Sequence, residues 1–173
     1  MSLTLLLGGA RSGKSSLALR RAGAVGAPVV FIATAEALDV EMEARIARHR
    51  AERDPSWTTI EAPLDPQRAL AGAPAHACVL IDCLSFWAAN LLQSGLGEGE
   101  ILGRAAAAAT LARHRHGPTI AVSNEVGLGI VPEYELGRRY RDLLGRVNAA
   151  WAERAEEALL VVAGRTLRLE ATR

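Results

Sequence analysis

The chain has 173 residues, half of them hydrophobic and 23% charged, which is the size and composition of one globular domain and excludes general disorder. Its 20 basic and 19 acidic residues leave a formal net charge of +1, which argues against binding nucleic acid through bulk positive charge. No apolar run approaches the ~20 residues of a membrane span, and two cysteines cannot form a disulfide framework, so we expect a single cytoplasmic domain over residues 1–173.

Runs typical of strands and helices alternate along the chain. The first half is predicted to follow the order strand 3–7, helix 14–24, strand 29–33, helix 37–53, strand 57–62 and short helix 65–71. The second half continues with strand 78–81, helices 84–93 and 101–114, strand 119–123, helix 132–157 with a break after Gly145, strand 159–163 and an antiparallel edge strand at 166–170. This alternation predicts an α/β fold, in which a mostly parallel sheet has helices on both faces.

The strongest motif lies between the first strand and the first helix and fits G-x-x-x-x-G-K-[ST]. Its residues are Gly8, Gly9, Ala10, Arg11, Ser12, Gly13, Lys14 and Ser15. Glycines let the backbone curl so that N–H groups converge on phosphate oxygens, and the following helix points its positive end at the same anion. Lys14, the single lysine of the chain, is predicted to reach the β- and γ-phosphates of a nucleotide, and the Ser15 hydroxyl to bind Mg²⁺.

Asp82 is the candidate for a second magnesium ligand. It follows four apolar residues, so it is expected at the carboxyl end of a buried strand, where open parallel sheets bind their ligands. The alternative is a turn aspartate that caps the next helix. Asn124 and Glu125, directly after the fifth strand, reach the same edge; they are candidates for orienting a hydroxyl or ligating metal through water, or for capping a loop.

His49 lies on the predicted helix 37–53, close to an apolar stripe formed by Leu38, Met42 and Ile46. Arg45 and Arg53 stand four residues to either side of it, so the same helix face would attract an anion. Neutral imidazole is a known covalent catalyst. On spacing alone, however, a packed histidine beside solvated arginines is the simpler interpretation.

Seven segments together resemble one family. They are GGARSGKS at 8–15, FIAT at 31–34, EMEARIARHR at 41–50, WTTIEAP at 57–63, LIDCLSFWAANLL at 80–92, SNEVGLGIVPE at 123–133 and RRYRDLLGRVN at 138–148. In this order they resemble the bifunctional adenosylcobinamide kinase / adenosylcobinamide-phosphate guanylyltransferases of cobalamin biosynthesis, from about Leu5 to Gly164. The resemblance implies a RecA-like P-loop fold, a homotrimer, and corrinoid substrates.

The resemblance also implies roles for single residues. His49 would take GMP from GTP, and Arg48 stands where some members carry a second histidine. Besides the P-loop, the nucleotide contacts that the resemblance implies are Ala33, Thr34, Ala35, Arg50, Ala51, Glu52, Arg53, Glu61 and Asp82. A hydroxyl residue is common at the position of Ala35, so any contact there would come from the backbone.

The expected function has two steps. A nucleoside triphosphate, ATP or GTP, phosphorylates the hydroxyl of adenosylcobinamide with Mg²⁺ at Ser15 and Asp82. GMP from GTP then passes through guanylylated His49 to adenosylcobinamide phosphate, which gives adenosylcobinamide-GDP. The alternatives are a monofunctional P-loop kinase for another small alcohol and a GTP-dependent regulatory module.

Overall fold

The structure, a computed structural model, describes residues 2–37 and 39–171. The strands are β1 (Leu3–Gly8), β2 (Val29–Ala33), β3 (Thr58–Glu61), β4 (Cys78–Asp82), β5 (Thr119–Asn124), β6 (Glu157–Val162) and β7 (Arg165–Arg168). The helices are α1 (Lys14–Gly23), α2 (Val40–Ala51), α3 (Pro66–Gly72), α4 (Leu84–Gln93), α5 (Glu98–His114) and α6 (Glu135–Arg154). No helix in the described ranges has the length and apolar character needed to cross a membrane.

The seven strands form one sheet in the order β3-β2-β4-β5-β1-β6-β7. Every neighbouring pair is parallel except β6 and β7, which are antiparallel. The predicted mostly parallel sheet with an antiparallel C-terminal edge strand is therefore confirmed. The carboxyl ends of β1, β2, β4 and β5 meet at one edge, which is where the sequence-predicted site residues lie.

The sheet is covered on both faces, as predicted. Because successive side chains of a strand point to opposite faces, Leu5 packs in the cluster formed with α3, α4, α5 and α6, whereas Leu6 packs in the cluster with α1. Ala18 and Ala22 of α1 are fully buried, and these small side chains let the helix lie close to the sheet. Burial of each large apolar side chain stabilises the fold by about 1.5–3 kcal/mol.

Helix α2 differs from the other helices because none of its residues is buried. It starts at Val40 rather than at the predicted residue 37, because the Asp39 side chain accepts a hydrogen bond from the N–H of Met42 and so caps the helix. Met42 is half-buried, as expected for the predicted stripe, and Leu38 lies outside the described residues. The helix therefore stands at the rim of the domain and leaves a cleft beneath it.

Helix α6 differs from the prediction at the expected break and at both ends, since it is Glu135–Arg154 rather than 132–157. Helix α6 runs through Gly145 without a break, because Leu144 and Val147 are fully buried and their packing outweighs the ~1 kcal/mol helix penalty of glycine. The helix begins at Glu135 rather than at residue 132, since the Arg138 side chain donates hydrogen bonds to the carbonyls of Pro132 and Glu133. That contact holds the preceding segment as a loop.

Arg115 is a buried cation that joins α3 to the start of β4. Its Nη1 donates to the carbonyls of Leu70 and Ala73, at 3.1 and 3.2 Å. Its Nη2 donates to the carbonyls of Pro74 and Ala77, at 2.9 and 3.0 Å. Burial lowers the pKa of Arg115, and the four carbonyl oxygens replace the water that the guanidinium loses.

Candidate active site

The P-loop connects β1 to α1. Gly13 precedes the helix at φ +97°, a left-handed conformation that glycine adopts readily, and no side chain caps the N-terminus of α1. The first N–H groups of α1 are thus left to face an anion. Lys14 is 7% exposed, and its Nζ donates to the carbonyl of Gly9 at 2.9 Å. Burial lowers the pKa of Lys14, and the nearby carboxylate of Asp82 opposes that shift.

Asp82 ends β4 beside the P-loop. Burial raises the pKa of its carboxyl, while His49, a hydrogen bond from Ser15, Lys14 and Arg53 act in the opposite direction. These four side chains, which come from two separate segments of the sequence, are thus all close enough to Asp82 to affect its charge. A carboxylate and a hydroxyl side by side are the hard oxygen donors that suit Mg²⁺.

A cleft of about 700 Å³, its open mouth included, lies between α2 and the carboxyl edge of the sheet. It brings together predicted site residues from six helices and strands and from two loops: Lys14, Ser15, Ala33, Ala35, His49, Arg50, Arg53, Glu61, Asp82 and Asn124. Its remaining lining is mostly apolar or aromatic, from Phe31, Met42, Ile46, Cys83 and Phe86, with Arg45. Polar groups on an apolar wall are typical of a small-molecule site.

A second cavity of about 1,050 Å³ opens along the P-loop. The predicted residues that line it are Ala10, Arg11, Ser12, Gly13, Lys14, Ser15, His49 and Glu52. Lys14, Ser15, Arg45 and His49 line both the cleft and this cavity. The two spaces therefore meet at a lysine, a hydroxyl, an arginine and the one histidine that they share.

Four predicted nucleotide contacts line neither space: Gly8, Gly9, Thr34 and Ala51. The Thr34 side chain is fully buried, and its Oγ1 donates to the carbonyl of Cys83 at 2.7 Å and accepts from the Cys83 N–H at 2.8 Å. Both hydrogen bonds hold the end of β2 against the end of β4. The Thr34 N–H donates to the Asp82 carbonyl and the Thr34 carbonyl accepts from Asn90 Nδ2, so this residue holds the site together and is not brought to the lining of either space.

Two arginines of the cleft stack on aromatic rings. The guanidinium of Arg53 lies 3.6 Å from the centroid of the Phe31 ring, and that of Arg45 lies 5.9 Å from the centroid of the Phe86 ring. Such stacking fixes the orientation of an arginine without neutralising its charge. Neither phenylalanine had a predicted role, and the one signal in the sequence is that both stand in segments that resemble the family.

Asn124 is held in the cleft by a polar network. Its Nδ2 donates to the Ser85 hydroxyl at 2.8 Å, and its carbonyl accepts from the Asn148 side chain at 3.0 Å. Glu125 behaves differently, since its carboxylate accepts a hydrogen bond from the N–H of Gly127 at 2.6 Å. Of the two candidates, Asn124 faces the cleft and Glu125 caps the following loop.

A model of the CobU family, described as cobinamide kinase / cobinamide phosphate guanyltransferase, matches residues 4–169. The chain belongs to this family. The bifunctional adenosylcobalamin biosynthesis protein CobP of Pseudomonas aeruginosa is 48% identical to it over 166 residues, 92% of each chain. The protein CobU of Salmonella typhimurium, described in the same words, is 40% identical over 177 residues, 94% of this chain and 96% of the relative.

The predicted family and activity are thus confirmed: the chain is a bifunctional cobinamide kinase and cobinamide phosphate guanylyltransferase of cobalamin biosynthesis. Both activities imply nucleotide substrates.

Solved structures show the fold. The RadB recombinase aligns with a TM-score of 0.51 at 17% identity, covering 92% of this chain and 73% of that one. A Pyrococcus horikoshii OT3 protein, PH0250, aligns with a TM-score of 0.56 at 10% identity, covering 96% and 85%. The predicted RecA-like P-loop fold is confirmed.

Proposed function

We propose that the two activities use the two joined spaces of this one site, with His49 as the covalent nucleophile for GMP. The observation that carries the proposal is that His49 lines both the P-loop cavity and the cleft that contains Asp82, together with Lys14, Ser15 and Arg45. A triphosphate bound on the P-loop and an acceptor bound in the cleft would then both lie beside the imidazole of His49.

In the kinase step, the P-loop N–H groups and Lys14 bind the phosphates of ATP or GTP, and the γ-phosphoryl group passes to the hydroxyl of adenosylcobinamide. Ser15 and Asp82 would hold Mg²⁺, which neutralises charge on the phosphate oxygens. Two protein oxygens are a suitable set for this ion, because Mg²⁺ usually keeps waters and takes further ligands from the substrate. Within residues 2–37 and 39–171, no group of three His, Cys, Asp or Glu side chains offers a competing all-protein site.

In the transferase step, a neutral ring nitrogen of His49 attacks the α-phosphorus of GTP, and the bond to the oxygen that bridges to the β-phosphate breaks. Pyrophosphate leaves with that bonding pair, and a phosphoramidate remains on His49. A phosphate oxygen of adenosylcobinamide phosphate then attacks the same phosphorus, which releases the imidazole and forms adenosylcobinamide-GDP. The positive charges of Arg45 and Arg53 stabilise the phosphates both during the attack on GTP and during the attack on the guanylylated histidine.

Cys83 is the competing nucleophile in the cleft, and its chemistry disfavours it. Burial raises the pKa of the Cys83 thiol to about 11, with a further contribution from Asp82. At neutral pH it is therefore a protonated thiol, which attacks phosphorus poorly. A monofunctional kinase or a regulatory module would need no nucleophile here, and the family match disfavours both.

The experiment is labelling with α-³²P-GTP followed by denaturation. We expect acid-labile, base-stable label on the wild-type protein and on His76→Ala, a control that removes an exposed histidine outside both cavities. His49→Ala should take up no label but still phosphorylate adenosylcobinamide. Covalent label on His49→Ala would mean that another residue is the nucleophile. Loss of both activities in a folded His49→Ala protein would mean that the two steps do not separate.

We further propose that the protein acts as a cytoplasmic homotrimer. Support comes from the loop after β5, where Leu128, Ile130 and Tyr134 are 82%, 96% and 79% exposed. Apolar side chains this exposed and this close together mark an interaction surface. Analytical ultracentrifugation should give a trimer for the wild type and smaller species for Ile130→Ser. A wild-type monomer at micromolar concentration would refute this.

A further inference from the structure

The turn between β6 and β7 lies directly against the P-loop. Its two residues, Ala163 and Gly164, have φ angles of 49° and 75°, the left-handed values required by the common two-residue hairpin turn. Strand β6 runs parallel to β1 with Val161 opposite Gly8, so β6 ends beside the point where the P-loop begins. The C-terminal hairpin is thereby placed next to the loop that is furthest from it in sequence.

Contacts join the hairpin to both ends of the P-loop. The Gly164 N–H donates to the carbonyl of Ser12 at 2.8 Å, and a Cβ on Gly13 would lie 3.4 Å from the Gly164 Cα. At the other end, a Cβ on Gly8 would lie 2.4 Å from the Val161 carbonyl oxygen. Gly8 is therefore needed for packing against the hairpin, whereas Gly13 is in van der Waals reach of it and is required as glycine by its φ of +97°.

We propose that Gly164 is a positioning residue for the P-loop. The peptide between Ser12 and Gly13 is planar and trans, so its carbonyl and its N–H point in opposite directions. Because Gly164 holds the Ser12 carbonyl toward the hairpin, the N–H of Gly13 faces the opposite side, away from the hairpin. The hairpin thus pre-orients a backbone donor of the P-loop before a phosphate binds, which removes part of the ordering cost of binding.

This inference rests on the proposed binding of nucleotide phosphates by the P-loop. Gly164 itself is exposed, and no atom lies within 4 Å of where its Cβ would be. A side chain at this position would therefore act through the left-handed φ angle, by moving the turn and its N–H, rather than by a clash. Gly95, at φ +86° and likewise with open space at its Cβ position, offers a control with the same strain in a turn remote from the P-loop.

The test compares Gly164→Val, Gly164→Asn and Gly95→Val, with inorganic triphosphate and Mg²⁺ as the probe in isothermal titration calorimetry. Valine is strained at positive φ, whereas asparagine tolerates it. We expect Gly164→Val to weaken binding about tenfold, the effect of misplacing one donor to a charged group. Gly164→Asn should stay close to the wild type. Gly95→Val should lower the Tm to a similar extent but leave the affinity unchanged.

Equal affinities of folded Gly164→Val and Gly95→Val would overturn the inference. If Gly164→Val does not fold, hydrogen exchange of the wild type decides: binding of triphosphate must slow exchange at the Gly164 amide, because coupling between two sites is reciprocal. Unchanged exchange would refute it. Failure of the wild type to bind, or binding that Lys14→Ala does not weaken, would instead refute the proposed role of the P-loop.

Discussion

Replacing Thr34 by valine should destabilise the protein without leaving a cavity. The Thr34 hydroxyl satisfies both the N–H and the carbonyl of Cys83, and all of these groups are buried. Valine has nearly the same shape but offers a methyl group instead of the hydroxyl. Packing is therefore kept, while the Cys83 N–H loses its partner and the Cys83 carbonyl keeps only the hydrogen bond from the Trp87 N–H.

The size of the effect follows mainly from the Cys83 N–H, because the Cys83 carbonyl still accepts from the Trp87 N–H. A buried donor that loses its partner costs about 1–3 kcal/mol. The free energy of unfolding should therefore fall by about 1–3 kcal/mol, which lowers the Tm of a domain of this size by roughly 2–12 °C.

Urea denaturation followed by circular dichroism measures this change, with an unchanged slope as the sign that the unfolded state is not altered. Thr34→Ser is the matched control: it keeps the hydroxyl and loses one buried methyl, which costs about 1 kcal/mol. If Thr34→Val is as stable as the wild type, the hydrogen bonds to Cys83 contribute nothing and the reasoning fails.

Three further predictions concern single side chains. Lys14→Arg should lose most of the kinase activity and keep the fold, because the planar guanidinium of arginine cannot replace the compact ammonium of lysine. Turnover near that of the wild type would mean that the mechanism does not need Lys14. Burial raises the pKa of Asp82 above its unfolded value of ~3.9, so the ionised carboxylate costs stability that returns as the pH falls through the raised pKa. Asp82→Asn should therefore raise the Tm of the nucleotide-free protein at pH 7 but hardly at pH 3. The same substitution should shift the Mg²⁺ titration of activity to higher concentration. An unshifted titration would mean that Asp82 caps the following helix and is not a metal ligand. Arg115→Met should lower the free energy of unfolding by about 1–3 kcal/mol, since it removes the guanidinium that donates to four carbonyls, of which those of Leu70 and Pro74 keep a backbone donor. Arg104→Met, which breaks an exposed ion pair, should change the free energy of unfolding by less than about 0.5 kcal/mol, and equal effects in thermal denaturation would refute the role of Arg115.

The parts of the fold that follow from local patterns were predictable. A short apolar run such as residues 78–81 indicates a strand buried on both faces, and a glycine-rich motif before a helix indicates a P-loop. Asp82 was predictable from its position after such a run. Helix α6 shows the limit of local reasoning, because Gly145 is unfavourable in a helix by itself and only the burial of its neighbours outweighs that preference.

The parts of the site that depend on distant segments were not predictable from the residues alone. The contact between Gly164 and Ser12 joins positions far apart in the chain, and no local sequence pattern predicts it. Spacing by itself favoured a packed His49, and only the family resemblance favoured catalysis. The structure supplies the missing physical reason: α2 buries none of its residues, so a histidine on its inner face borders open space rather than a core.

The strand order also bears on how the chain folds during synthesis. Strand β1 is made well before its two neighbours, β5 and β6, since β5 begins only at Thr119. Until those later segments have left the ribosome, the apolar strand β1 has no native neighbour in the sheet, and the P-loop that follows it is unsupported. Such unpaired strands are open to association with other chains. The centre of the sheet thus closes late, and β1 depends on the later strands β5 and β6 for its place in the fold.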